Sequence, residues 1–276
     1  MKKKVTALMA GVLALGSAFG FTACDNNTIY VDTNAYFAPF EYFDGDKIVG
    51  VDIDIMNLVG EKLGKKVKFE HTDFDIIIDN VASGKRYDCG AAGITITDAR
   101  KEKVAFSDPY YTSIQYVIYD PTKTTFEERT ATNGTPCVFW SDLMNKEIGV
   151  QRDTTGDIYV NYEMGDYPED EYTGALYGTT GTCTPYDSAQ LAVDAIGADR
   201  MDVVVVDQLP AQYICNANGN YVCKALYYDA DTATEEQYAI CVTKGNDALL
   251  AAINEVLAEL GETGILALVS AHLGLN

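Results

Sequence analysis

The sequence predicts an α/β protein of two lobes, each a mostly parallel sheet flanked by helices. Two alternations of strand and helix carry this reading, one running from Thr28 to Gly93 and the other from Glu147 to Val206, with a polar, Thr-rich segment between them. Size agrees, because 276 residues with 47% hydrophobic content can bury one large core or two ordinary ones.

The start of the chain reads as a targeting segment. Lys2, Lys3 and Lys4 precede an apolar run from Val5 to Phe21, shorter than the about 20 apolar residues of a spanning helix. Phe21-Thr-Ala-Cys24 then resembles a bacterial lipobox, with Phe21 where Leu is usual, so residues 1–23 are expected to be removed and Cys24 to carry lipid.

Thr28 to Val31 is the first strand, followed by an aromatic-rich loop from Asn34 to Glu41 in which Pro39 opposes ladder pairing. Asp44-Gly45-Asp46 is a turn. From Asp52, the apolar residues Ile53, Met56, Val59 and Leu63 recur at helical spacing until Gly64. Val67 to Phe69 is a strand, and Phe74 opens a helix closed by Ser83-Gly84. Ser113 to Tyr119 is β-rich, and the composition change after it marks the crossing between lobes.

In the second alternation Glu147 to Val150 is a strand, Thr155 to Tyr162 and Ser188 to Ile196 are helices, and Asp202 to Val206 is a buried strand. The stretch from Gly165 to Cys183 reads as a long acidic loop without the spacing of a calcium loop. Gln237 to Thr243 is a returning strand. Asp247 to Leu260 is an amphipathic helix stopped by Gly261, with a last short helix from Gly264 to Leu273.

A net charge of −21 argues against a nucleic-acid partner, since phosphate binding needs a basic face. Only two histidines occur and no Cys-x-x-Cys, so no metal site is expected. In an exported protein the six cysteines after Cys24 permit disulfides. Cys215 and Cys223, flanking a polar Gly-containing loop, are the first candidate pair and Cys137 with Cys183 the second. Cys89 and Cys241 lie in apolar strands and read as buried thiols.

The chemistry concentrates in Asp88-Cys-Gly-Ala-Ala-Gly-Ile-Thr-Ile-Thr-Asp-Ala-Arg100. A buried strand ends in small residues that let a ligand approach the backbone, hydroxyls follow at Thr95 and Thr97, and Arg100 sits one turn into a helix with a planar fork. That combination suits a carboxylate. The stretch, with Val104-Ala-Phe-Ser-Asp-Pro-Tyr-Tyr111, resembles the A-G-[MI]-T-I-T-x-x-R … F-S-x-P-Y-Y signature of the polar amino-acid-binding proteins of bacterial ABC transporters, solute-binding protein family 3. Thr33 to Glu41, Ile148 to Gly156 and Asp202 to Ala211 match at the places expected for that family.

The resemblance implies a periplasmic-binding-protein-like fold whose chain crosses between lobes twice by two hinge strands, with residues 24–115 plus 237–276 as lobe 1 and 116–236 as lobe 2, and which closes on an amino acid and delivers it to an ABC permease. The protein would be an exported, membrane-anchored lipoprotein on the outer side of the bacterial cytoplasmic membrane, monomeric, without cofactor and not an enzyme; an exported dehydratase-like enzyme or an amino-acid sensor on the same fold is the alternative. Burying the two charges of an amino acid requires that each be matched. By family position, Arg100 with N–H groups near Thr95 and Thr155 would hold the carboxylate. Asp207, with the Gly93 carbonyl and the Thr95 hydroxyl, would hold the ammonium. Phe37 and Phe74 would sandwich the ligand side chain, with Phe40 as core support. Asn34, where related proteins that bind cationic or amide ligands often carry Asp, points to a polar, uncharged ligand such as glutamine. Asp153 stands where glycine is usual.

Overall fold

The structure is a computed structural model that describes residues 27–165 and 173–274; the expected signal segment, Cys24 and part of the acidic loop lie outside the described residues. Lobe 1 is built from β1 (Thr28–Thr33), β2 (Tyr36–Phe37), β3 (Glu41–Asp44), β4 (Lys47–Val49), α1 (Val51–Leu63), β5 (Lys66–His71), α2 (Phe74–Ser83), β6 (Cys89–Gly90), α3 (Asp98–Lys103) and β7 (Ala105–Phe106). The chain then passes through β8 (Tyr111–Tyr119) into β9 (Arg129–Thr130), β10 (Pro136–Phe139), β11 (Glu147–Gln151), α4 (Thr155–Met164), β12 (Thr182–Tyr186), α5 (Ala189–Gly197), β13 (Val203–Asp207), α6 (Gln208–Ala217) and β14 (Val222–Tyr227). It returns through β15 (Glu235–Tyr238) to β16 (Cys241–Val242) and α7 (Asp247–His272).

The first sheet has the order β5-β1-β6-β16-β7, and the second β12-β11-β13-β8-β14-β10-β9 with β15 on β8. Strands joined by crossover helices pair in parallel: β1 with β5 and β6, and β11 with β12 and β13. Antiparallel partners come mainly from segments that cross between lobes, such as β16 against β6 and β8 against β13. Both sheets are therefore mixed. β15 pairs with β8 from Glu235 opposite Ile114 to Tyr238 opposite Tyr111; the expected boundary between 236 and 237 lies within this two-stranded ribbon, and that between 115 and 116 just beyond its paired stretch on β8.

Local chemistry explains most element ends. α1 buries Val51, Ile55, Met56 and Val59 and stops at Gly64, whose φ of 64° is left-handed. β13 is buried at every position because α4, α5 and α6 all pack on it. In α7 the helix breaks at Gly261, with φ 56° and ψ −177°, which divides it where the sequence predicts two helices.

Four expectations need revision. The aromatic loop after Asn34 is not irregular: β2, β3 and β4 form a small antiparallel sheet, because Tyr36, Phe37, Tyr42 and Ile48 are good strand formers around the Gly45 turn. Thr182 to Tyr186, read as loop, is the edge strand β12; Pro185 masks it, yet an edge tolerates proline. The run from Gln237 to Thr243 is two strands, because the chain leaves β8 after Tyr238 and joins the other sheet at Cys241. The strand before Ala91 shrinks to Cys89–Gly90.

No disulfide joins any of the described cysteines. Cys137 and Cys183 cannot pair: β10 and β12 are separated by four strands of the second sheet, more than about 20 Å at about 4.8 Å per strand step. A disulfide needs Cα atoms within about 7 Å. Cys215 and Cys223 do lie side by side, thiol to thiol, and the Cys215 thiol is pushed up by its hydrogen bond to Cys223. Cys89 and Cys241 are fully buried on neighbouring strands, and burial raises both thiols.

Candidate functional site: a charged cleft between the lobes

The strand ends of both lobes face one cleft, as ligand sites of open α/β sheets do. Asn34, Phe37, Phe74, Gly93, Thr95 and Arg100 line it from lobe 1, and Thr155 and Asp207 from lobe 2. Gln151 and Thr154 join them. The cavity left between these residues is about 10 Å³, room for about one water, so the two lobes stand nearly closed on each other. A larger groove of about 450 Å³ lies between β8 and the α7 break, but no cation lines it.

Arg100 is buried. α3 starts at the N-cap Thr97, whose hydroxyl accepts the Arg100 backbone N–H, and this fixes where the side chain leaves the helix. Its Nη1 donates to the Thr95 carbonyl at 2.9 Å and its Nη2 reaches across the cleft to the Asp153 carbonyl at 2.8 Å. No carboxylate lies within ion-pair distance of it among the described residues. Burial lowers its pKa and Glu236 opposes that shift. The Phe74 ring lies 5.4 Å from the guanidinium carbon. Asp153 has φ 57°, which explains why glycine is usual there.

Asp207 ends β13 and holds the N-cap position of α6, yet its side chain makes no cap bond. It turns into the cleft instead, where the Tyr238 hydroxyl and Gln115 Nε2 donate to it. Register explains this contact, since Gln115 on β8 stands directly opposite Asp207. Burial, then the charge of Glu236, pushes the Asp207 pKa well above the usual carboxylate range. Thr155 is the first residue of α4, so its backbone N–H has no partner within the helix.

Gly93 has φ 52°, and a Cβ there would come 2.8 Å from the Phe37 ring; its N–H donates to the buried Asp52 at 2.9 Å. Phe40 is wholly buried between Tyr111 and Tyr238, as a core residue. At the far end, Gln151 Nε2 donates to Asn34 Oδ1 at 3.1 Å, and Asn34 Nδ2 donates to the Thr72 carbonyl at 2.8 Å. Gln151 Oε1 is buried with no partner among the described residues.

Three polar residues of this region escape the sequence reading: Gln151, Gln115 and Glu236. One signal was available. Glu235 to Tyr238 alternates exposed and buried positions, which places Glu236 on the inner face with Tyr238.

Residues 29–273 match the profile of the bacterial extracellular solute-binding proteins, family 3. The chain belongs to this family. Among its relatives is a probable histidine-binding protein of Neisseria gonorrhoeae, 29% identical, with 96% of this chain and 92% of that protein aligned. An ancestral arginine-binding protein solved with glutamine is 30% identical, with a TM-score of 0.71 over 90% of this chain and 98% of that one. An ancestral arginine-binding protein solved with arginine is 31% identical, with a TM-score of 0.71 over 89% and 97%. These relatives are named as binding proteins rather than enzymes.

Proposed function

We propose that this protein binds a free, polar and uncharged α-amino acid, with glutamine the first choice, between its lobes and delivers it to an ABC permease. Arg100 and Asp207 carry the reading. They are buried in one cleft without pairing directly with each other, and a zwitterion brings the charge that each lacks. Contacts from both lobes make hinge closure the natural response to ligand.

An uncharged ligand tip follows from the groups around Asn34. Gln151 Oε1 seeks a donor, which an amide NH₂ supplies, and no acid or base lines that end. Arg152 is turned outward toward Asp187, 3.7 Å away, while Glu41 is buried outside the cleft lining. Asp153 is exposed. A thermal-shift screen against the twenty amino acids tests this reading, because a ligand at 100 times its dissociation constant adds about 2.7 kcal/mol. Glutamine should stabilise the protein most; displacement of glutamine by lower concentrations of arginine or glutamate would overturn the uncharged-tip reading.

Anchoring through Cys24 belongs to the same proposal, motivated by the Lys-rich start and the small residues before the cysteine. Cys24→Ala should move the protein from the membrane to the soluble fraction. Unchanged membrane fractionation would exclude the lipid.

A further inference from the structure

Behind the cleft wall, Glu236 on β15 makes contacts to both lobes at once. Its Oε2 accepts from the hydroxyls of Thr95 at 2.6 Å and Thr155 at 2.5 Å, and its Oε1 accepts from Gln115 Nε2 at 2.6 Å. The same Gln115 NH₂ donates to Asp207 Oδ1 at 2.5 Å, so two carboxylates share one amide group. Glu236 is buried, and it does not line the cleft, whereas Thr95, Thr155 and Asp207 do.

A hydroxyl has one proton. When Thr95 and Thr155 donate theirs to Glu236, their outward side can only accept. The two threonines then cannot serve the ligand carboxylate with their hydroxyls, and that role falls to Arg100 and the backbone N–H of Thr155. They can serve an ammonium, which has three protons to give. We propose that Glu236 is the positioning residue of the ammonium pole: it turns a hydroxyl from each lobe into an obligate acceptor and so makes the site prefer an α-ammonium to an α-hydroxyl. This rests on the reading of the cleft as an α-amino-acid site and adds the group that sets its polarity.

The charge pattern agrees. Arg100 is the cation facing Asp207 and Glu236, and Tyr238 and Tyr159 are neutral neighbours of the pair. Burial raises the pKa of both carboxylates, with Arg100 and the hydroxyl donors opposing. An ammonium placed before the threonines supplies the second cation that this cluster lacks.

The test compares L-glutamine with the 2-hydroxy acid bearing the same amide side chain, by calorimetry on the wild type, Glu236→Gln and Glu236→Asp. Should the screen select another amino acid, that amino acid and its own 2-hydroxy analogue replace them. A glutamine side chain can donate to the threonines and free their protons, so Glu236→Gln should lower the preference for the amino acid by about tenfold or more. Glu236→Asp keeps the charge and should keep most of the preference. A purely structural role would weaken both ligands alike and leave the ratio within about twofold. An unchanged ratio in a Glu236→Gln protein that still unfolds cooperatively overturns the assignment while leaving the amino-acid reading intact. A wild type that binds none of the twenty amino acids overturns the parent reading and this assignment with it.

Discussion

Arg100→Ala is expected to weaken amino-acid binding by roughly a hundredfold or more, by analogy with the about 3–5 kcal/mol lost when one partner of a buried pair is removed. The reason is asymmetry. The ligand carboxylate would still enter a cleft that excludes water, but its principal donor would be gone and Asp207 and Glu236 would remain as like charges nearby. The bonds from Arg100 to the Thr95 and Asp153 carbonyls would go too, and the second of these ties the lobes together. Folding should survive, because the guanidinium has no salt-bridge partner among the described residues and α3 is one short helix at the cleft edge. Calorimetry and circular dichroism on the same preparation separate the outcomes. Wild-type affinity in the variant would mean that the carboxylate is held elsewhere.

The second large effect is on stability. Gly50 has φ 137° and ψ 176°, a region that only glycine occupies readily, and a Cβ there would stand 2.1 Å from the Phe40 carbonyl oxygen and 2.8 Å from the Glu41 nitrogen. Backbone, not a movable side chain, fills that space. The Val51 N–H donates to the Pro39 carbonyl and the Asp52 N–H to the Phe40 carbonyl, so the start of α1 is bonded to the aromatic segment. Gly50→Ala must break these contacts or distort them, and a loss of about 3 kcal/mol or more is expected from strain and overpacking together. Gly45→Ala is the control. Its φ of 60° is also left-handed, but nothing lies within 4 Å of the added carbon, so a cost near 1 kcal/mol is expected. Urea unfolding gives both values, and equal midpoints for the two variants would show that the close approach at Gly50 has no energetic weight.

Much of the architecture was legible in local pattern. Apolar residues at helical spacing, Gly64 and Gly84 as helix stops, and the valine run of β13 each act through a few neighbouring residues, which is why periodicity and capping chemistry reveal them. The helix break at Gly261 is of the same kind. The parts that were not legible depend on partners distant in the chain. β12 was hidden because its pairing with β11 spans the acidic loop, and β15 and β16 merged into one strand because only the two sheets tell them apart.

The candidate site divides in the same way. Arg100, Thr95, Asp207 and Asn34 were nameable from motifs, since each sits at an element end where its residue type has a local reason to be, and tertiary structure placed them around one cleft with Phe37, Phe74, Gly93 and Thr155. The cysteines show the limit, because whether Cys137 can meet Cys183 depends on strand order, which no spacing encodes. By itself the sequence determined the strand and helix alternation, the family and the charged groups available to a ligand. Tertiary structure alone decided that Gln115 stands opposite Asp207, that Gln151 meets Asn34 across the cleft, and that Glu236 takes the protons of two threonines from different lobes. A hydrogen bond is directional and reaches about 3 Å, so its polarity is settled only once both partners are in place.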